Sequence, residues 1–164
     1  MGAGKTTVGR VVAARLGRPF LDSDDQVVAR AGRTVAEIWR AEGEAAFRTL
    51  ESEVLAEALA SRPAAVIAAA GGSILDPVSR ARLVEGGRVV WLRARSATTT
   101  ERVGTGVGRP LLDRDPAGEL DRLGHERDDL YTEVASSVVD VDDLSVEQVC
   151  ERVLAAAGLS GPSS

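Results

Sequence analysis

Met1-Gly2-Ala3-Gly4-Lys5-Thr6-Thr7-Val8-Gly9-Arg10 opens the chain and decides the reading of its fold. Gly4, Lys5 and Thr6 match the G-K-T of the phosphate-loop pattern G-x-x-x-x-G-K-S/T. Small residues before the lysine let backbone N–H groups close around phosphate oxygens. The helix that follows directs its positive end at the same charge. In such a loop Lys5 reaches the β- and γ-phosphates of a nucleotide, and the Thr6 hydroxyl binds Mg²⁺. A glycine-rich helix start can also match a bare G-K-T. Here an amphipathic pattern follows at once: Val8, Val11, Val12 and Leu16 share one face, and Gly17 ends it. The first Gly of the motif, and the strand that leads into it, would fall just before Met1.

The chain has 164 residues, which suits one α/β domain, and 44% of them are hydrophobic, enough for a core. A net charge of −5 argues against a general nucleic-acid surface, so any anion site must be locally basic. No apolar run is long enough to span a membrane, and no secretory signal is evident, so the chain reads as cytoplasmic. The single cysteine, Cys150, excludes an internal disulfide and sits at helical spacing with Val146, Val149, Val153 and Leu154. It reads as a small core residue. His125 lies among charged residues and reads as a solvated side chain.

Short apolar segments alternate with helical ones. Strands are expected at Pro19–Leu21, ending at Asp22, and at Ala64–Ala69, Arg88–Leu92 and Ser137–Val141. Thr34-x-x-Glu37 and Ser145-x-x-Gln148 read as capping boxes. A long helix around Glu44–Ala60 sets Phe47, Leu50, Val54 and Ala58 on one face. This alternation implies a parallel, doubly wound sheet with four strands visible. Residues 1–158 are expected to form one domain, with a substrate-side region at 24–60, a Gly-rich lid at 104–116 and a flexible tail at 159–164.

Four further constellations carry chemistry. Asp22-Ser23-Asp24-Asp25 follows a strand end, where ligands bind in open α/β sheets. Its carboxylates suit Mg²⁺ and a substrate hydroxyl, or equally a turn and a helix N-cap. Arg48 and Glu51 lie one helical turn apart, as a surface ion pair or as an Arg held for an anionic group. Ala70-Gly71-Gly72 follows the second strand, as a tight turn or as bare backbone that a ligand approaches. Arg102 and Arg109 flank the Gly-rich loop, as solvated charge or as lid groups facing a phosphoryl group, and Arg127 stands in Arg127-x-x-Leu130-Tyr131.

Taken in order, M-G-A-G-K-T-T-V-G-R, L-D-S-D, T-V-A-E-I-W with G-E-x-x-F-R-x-x-E, A-G-G, R-P-L-L and R-x-x-L-Y-x-x-V-A closely resemble the shikimate kinase family, from Gly2 to about Val141. The resemblance implies a three-layer P-loop kinase fold that transfers the γ-phosphate of ATP to a hydroxyl of shikimate, in aromatic amino-acid biosynthesis. It implies that Gly2, Ala3, Gly4, Lys5, Thr6 and Thr7 bind ATP, that Thr6 and Asp22 serve Mg²⁺, and that Asp24 takes a hydrogen bond from the reacting hydroxyl. It further implies that Arg48 and Arg127 clamp the shikimate carboxylate, and that Gly71 and Gly72 contact substrate through the backbone. Trp39 and Phe47 wall the pocket, Arg109 faces the phosphates beside Lys5, and Arg102 packs on adenine. The partners implied are shikimate and ATP alone, on a monomer.

Ala70 replaces the first Gly of the family's usual triplet. In the fold that the resemblance implies, the missing first strand would be the central one, between those at Ala64–Ala69 and Arg88–Leu92. Its loss would leave a gap of about 9–10 Å. Each backbone group orphaned there costs roughly 1–3 kcal/mol, against about 5–15 kcal/mol for a whole domain. The chain as written is therefore expected to be loosely folded with little activity. The rival readings are a gluconate-type kinase, against which Arg48 and Arg127 argue, and a non-catalytic ligand-binding remnant.

Overall fold

The computed structural model describes residues 2–95, 98 and 127–159. Helix α1 (Lys5–Leu16) starts at Gly4, whose φ of 85° is left-handed, and ends at Gly17, also left-handed. Strand β1 (Phe20–Asp22) follows, then α2 (Ser23–Ala31) and α3 (Val35–Leu59). Helix α3 bends at Gly43, where φ 80° and ψ 175° interrupt the helical path. An L side chain rarely adopts that φ, which accounts for glycine there. Next come β2 (Val66–Ala68), a 3₁₀ turn at Ser73–Leu75, α4 (Pro77–Gly86) and β3 (Val90–Arg93). Residues 127–134 form α5, followed by β4 (Ser137–Asp140) and α6 (Val146–Ala156). Both expected capping boxes form: the Thr34 and Ser145 hydroxyls accept from the N–H groups of Glu37 and Gln148, whose side chains reach back.

The four strands lie within two residues of their expected bounds, but they do not form one sheet. β1 pairs with β2 in parallel, with Leu21 opposite Ile67, and β3 pairs with β4 in parallel, with Trp91 opposite Val138. No ladder joins β2 to β3 among the described residues. The division falls between the two segments that the sequence reading set on either side of its gap.

Helical layers nevertheless bridge the two sheets on both faces. On one face Val8 and Val12 of α1 pack with Val149, Cys150 and Leu154 of α6, and Val66, Val90 and Leu92 of the strands join them. Cys150 is fully buried there, a core residue as expected. On the other face Leu55, Ile74, Leu83 and Val134 form a second core, which Ala69 and Val89 flank. Neighbouring residues of the third strand segment thus go to opposite faces, as in a strand covered on both sides. A third cluster, Val27, Ile38, Phe47 and Val54, locks α2 onto α3.

Helix α4 is fixed by Asp76. Its carboxylate accepts from the N–H groups of Val78 and Ser79 and from the hydroxyls of Ser79 at 2.7 Å and of Ser52 on α3 at 3.3 Å. These bonds, the Ser79 hydroxyl first, hold its pKa below the ordinary aspartate value. A lowered acid pKa adds stability above the unfolded value near 3.9, and that stability is lost as pH falls through the folded one. Asp76→Ala is expected to cost about 1–2 kcal/mol at pH 7. Thermal melts followed by circular dichroism should show this deficit shrinking below about pH 4. A deficit of equal size at pH 3 and pH 7 would contradict the role of the charged cap.

Candidate active site

Four chain segments converge at the carboxyl ends of β1 and β2. The first is the glycine loop at the start of α1. The Thr6 hydroxyl donates to Asp22 Oδ2 at 2.7 Å, while Asp22 Oδ1 accepts from the Asp24 N–H at 3.1 Å. Asp22 thereby acts as the N-cap of α2 and also binds the loop threonine. The two readings of this segment are compatible in one side chain, with one oxygen for each. Asp24 sits in the first turn of α2, exposed, on the helix end that favours negative charge. Lys5 is the first residue of α1, and Gly2, Ala3 and Gly4 form the turn before it.

The second group is on α3. Arg48 Nη1 donates to Glu51 at 2.9 Å, and its Nη2 and Nε reach Glu44. The Glu51 side chain is only 4% exposed, against 19% for Arg48. Burial raises the Glu51 pKa, and the hydrogen bond and charge of Arg48 oppose the rise. Asp24 and Arg127 also act on this carboxyl, which sets all four ionisable groups in one electrostatic neighbourhood. Arg48 lies over the rings of Trp39 and Phe47, 5.8 and 5.3 Å from their centroids. The two rings meet at 5.8 Å, and the Trp39 indole N–H is buried without a partner. The long helix is therefore more than a surface ion-pair ladder at this point.

The third segment is Gly71-Gly72, just beyond β2. A Cβ on Gly72 would sit 2.1 Å from Arg48 Nη1, so only bare backbone lets the guanidinium approach this closely. Ala70 is accommodated with its methyl buried, and its N–H donates at 2.8 Å to the hydroxyl of Ser23. That bond ties the end of β2 to the start of α2.

The fourth is α5. Arg127 Nη1 and the Tyr131 hydroxyl both donate to the Gly71 carbonyl, at 3.3 and 3.1 Å. Tyr131 stacks on Trp91 of β3, with ring centroids 5.1 Å apart. Arg127 is 7% exposed, and its Nε is buried with no hydrogen-bond partner among the described residues. A buried guanidinium N–H without an acceptor can be satisfied by a water or by an anionic ligand. Arg48 and Arg127 thus approach the adjacent glycines Gly72 and Gly71, and both retain donors for a carboxylate.

The structure brings together Asp22, Asp24, Arg48, Gly71, Gly72 and Arg127, with Trp39 and Phe47 packed against Arg48. Arg102, Arg109, His125 and the 104–116 lid lie outside the described residues. Sequence reasoning missed Ser23 and Tyr131 as positioning groups. The tyrosine was visible in the spacing R-x-x-L-Y, but only its Arg was given a role. Ser23 carried no signal beyond its place between two aspartates.

The family model for shikimate kinase matches residues 1–157. A shikimate kinase of Thermobifida fusca is 46% identical over 160 residues, covering 96% of this chain and 92% of that protein. A shikimate kinase of Streptomyces coelicolor is 43% identical, covering 97% and 92%. Among solved structures, shikimate kinase from Acinetobacter baumannii in complex with shikimate superposes with a TM-score of 0.90 at 39% identity, covering 94% of this chain and 86% of that one. The fold, the order of the site segments and these matches agree: the chain belongs to the shikimate kinase family.

Proposed function

We propose that this chain transfers the γ-phosphate of ATP to a hydroxyl of shikimate, and that residues 1–158 act as one catalytic domain. The observation that carries the substrate side is the pair Arg48 and Arg127, which meet the adjacent glycines Gly72 and Gly71, with Arg127 Nε buried and unpartnered among the described residues. Two planar forks at one place suit a carboxylate, which accepts paired hydrogen bonds. The membership of the family, and the shikimate bound by the Acinetobacter baumannii relative, favour shikimate as the carboxylate's owner. A gluconate-type acceptor has no comparable support.

In this reading the Gly2–Thr7 loop and the N-terminus of α1 hold the nucleotide phosphates, with Lys5 on the transferring group. Asp24 accepts the proton side of the substrate hydroxyl as its oxygen attacks phosphorus and the bond to the departing ADP breaks. Arg48 and Arg127 anchor the remote carboxylate, Trp39 and Phe47 wall the ring, and Gly71 and Gly72 meet it through backbone. Positioning and charge neutralisation supply most of the acceleration. We assign Arg109 to the phosphates and Arg102 to adenine on the family resemblance.

Mg²⁺ would be held by Thr6 and Asp22, whose oxygens lie 2.7 Å apart. Among the described residues no group of three or more His, Cys, Asp or Glu could form an all-protein metal cage. That donor set fits Mg²⁺, which is commonly held by one or two protein oxygens together with phosphates and waters. When bound, the ion neutralises phosphate charge. We further propose a monomer that works in the cytoplasm; no helix of the described residues is long and apolar enough to cross a membrane.

Even at the low turnover expected of the chain as written, a coupled assay of ADP release with ATP and Mg²⁺ is expected to respond to shikimate and to stay at background with gluconate. Equal turnover of both, or turnover of gluconate alone, would overturn the substrate assignment.

Two substitutions should separate chemistry from anchoring. Asp24→Asn is expected to lower kcat with little change in shikimate KM. Arg48→Ala should raise shikimate KM, with a loss of about 2 kcal/mol in kcat/KM from the missing carboxylate contact. An unchanged shikimate KM in a folded Arg48→Ala protein would count against the clamp.

Gly72→Ala tests the close approach. The added methyl must drive the Arg48 guanidinium from its place, so shikimate KM should rise while the KM for ATP stays within about twofold. Parent-like kinetics in this variant would mean that Arg48 is not held against the glycine backbone during turnover.

A further inference from the structure

Gly71 and Gly72 are the central residues of a tight turn. The Ser73 N–H donates to the Ala70 carbonyl at 3.1 Å and closes it. Gly72 has φ −90° and ψ −16°, the angles of the second central residue of a type I turn. A type II turn keeps the same closing bond but turns the central peptide over, with φ near about +80° at that residue. Glycine takes that angle without strain, so this sequence admits both turns. Type II is also the turn that a glycine at this position ordinarily favours. A contact from outside the turn therefore holds the type I form.

That contact comes from α5. The Tyr131 hydroxyl and Arg127 Nη1 both donate to the Gly71 carbonyl, which belongs to the central peptide and would be reversed by a flip. In a trans peptide the C=O and N–H point in opposite directions. Gripping the carbonyl from α5 thus aims the Gly72 N–H away from α5. Gly72 is buried, and its N–H has no backbone acceptor among the described residues. A flip would replace this donor with a carbonyl oxygen, which repels a carboxylate.

The two grips differ in what else they do. On the reading proposed for Arg48 and Arg127, the Arg127 guanidinium is drawn to the bound carboxylate, so its hold on the carbonyl is shared. Tyr131 is anchored to the protein instead. Its ring stacks on Trp91, with centroids 5.1 Å and planes 20° apart. A Cβ on Gly71 would lie 3.1 Å from its hydroxyl, so the oxygen rests directly on the turn. Burial raises its pKa, and the hydroxyl stays a neutral donor around neutral pH.

We propose that the Tyr131 hydroxyl is the catch that holds the Gly71–Gly72 peptide in its type I orientation. It keeps the Gly72 N–H presented to the substrate carboxylate while Arg127 is engaged with that same group. Tyr131 is in this sense a positioning residue, acting on the carboxylate through the glycine backbone.

Tyr131→Phe removes the hydroxyl and leaves the ring and its stack on Trp91. The 164-residue chain and this variant are compared with labelled glycine, first without ligand. Nuclear Overhauser contacts read the turn directly. In type I the amide protons of Gly71 and Gly72 lie close together; in type II the Gly72 amide proton lies close to the Gly71 α-protons. The parent is expected to show the first contact and the variant to gain the second, with Tm lowered by no more than a few degrees. In calorimetry the variant's Kd for shikimate is expected to rise about fivefold, while that for shikimate methyl ester, which carries no anion to repel, stays within about twofold. A variant that keeps the parent's contacts would overturn the proposal. So would a turned-over peptide with the parent's Kd for shikimate, or an equal loss for acid and ester. A parent chain that binds no shikimate would overturn the substrate reading instead, and the ligand-free contacts would then decide the catch alone.

Discussion

A buried carboxylate, Glu51, holds the guanidinium of Arg48 against the bare backbone of Gly72, and the substrate side of the molecule is arranged around that contact. An ion pair so far removed from water is costly unless it is well bonded, and breaking one partner away leaves an uncompensated charge. Arg48 therefore has few alternative positions. Glu44 brackets it from the preceding turn and Trp39 and Phe47 lie beneath it. The kink at Gly43 begins the helical run that carries Glu44, Phe47, Arg48 and Glu51 on successive turns. The third cluster then fixes that run on α2, which carries Asp24.

The remaining site segments reach the same point by long-range hydrogen bonds. Ser23 holds the backbone of Ala70 from α2, and Arg127 and Tyr131 hold the carbonyl of Gly71 from α5. Asp22 couples the phosphate loop to the N-terminus of α2 by giving one oxygen to Thr6 and the other to the Asp24 N–H. A displacement of the phosphate loop would thus be felt at Asp24, and a displacement of α5 at Gly71. The site is built from connections between elements more than from any single element.

That division explains what was legible in the sequence. Strands β1 to β4, both capping boxes, the end of α1 at Gly17 and the burial of Cys150 follow from local pattern, and they form where the pattern put them. The joint role of Asp22 was half legible, because a carboxylate after a strand fits a helix cap and a hydroxyl partner alike. Ser23 and Tyr131 were not legible, since their partners lie 47 and 60 residues away and no periodicity encodes such a bond. The separation of β2 from β3 depends on tertiary pairing, which local periodicity does not specify. It was anticipated from the family resemblance, which set the gap between those two segments.

The central claim is that Arg48, held by Glu51, and Arg127 together recognise a carboxylate at Gly71-Gly72. Its most direct test is the dissociation constant of shikimate against that of its methyl ester, measured by calorimetry on the parent chain and on Arg48→Ala. The account predicts that the ester binds the parent at least tenfold more weakly than the acid, about 1.4 kcal/mol, and that this difference largely disappears in the variant. Equal affinity of the parent for acid and ester would contradict it.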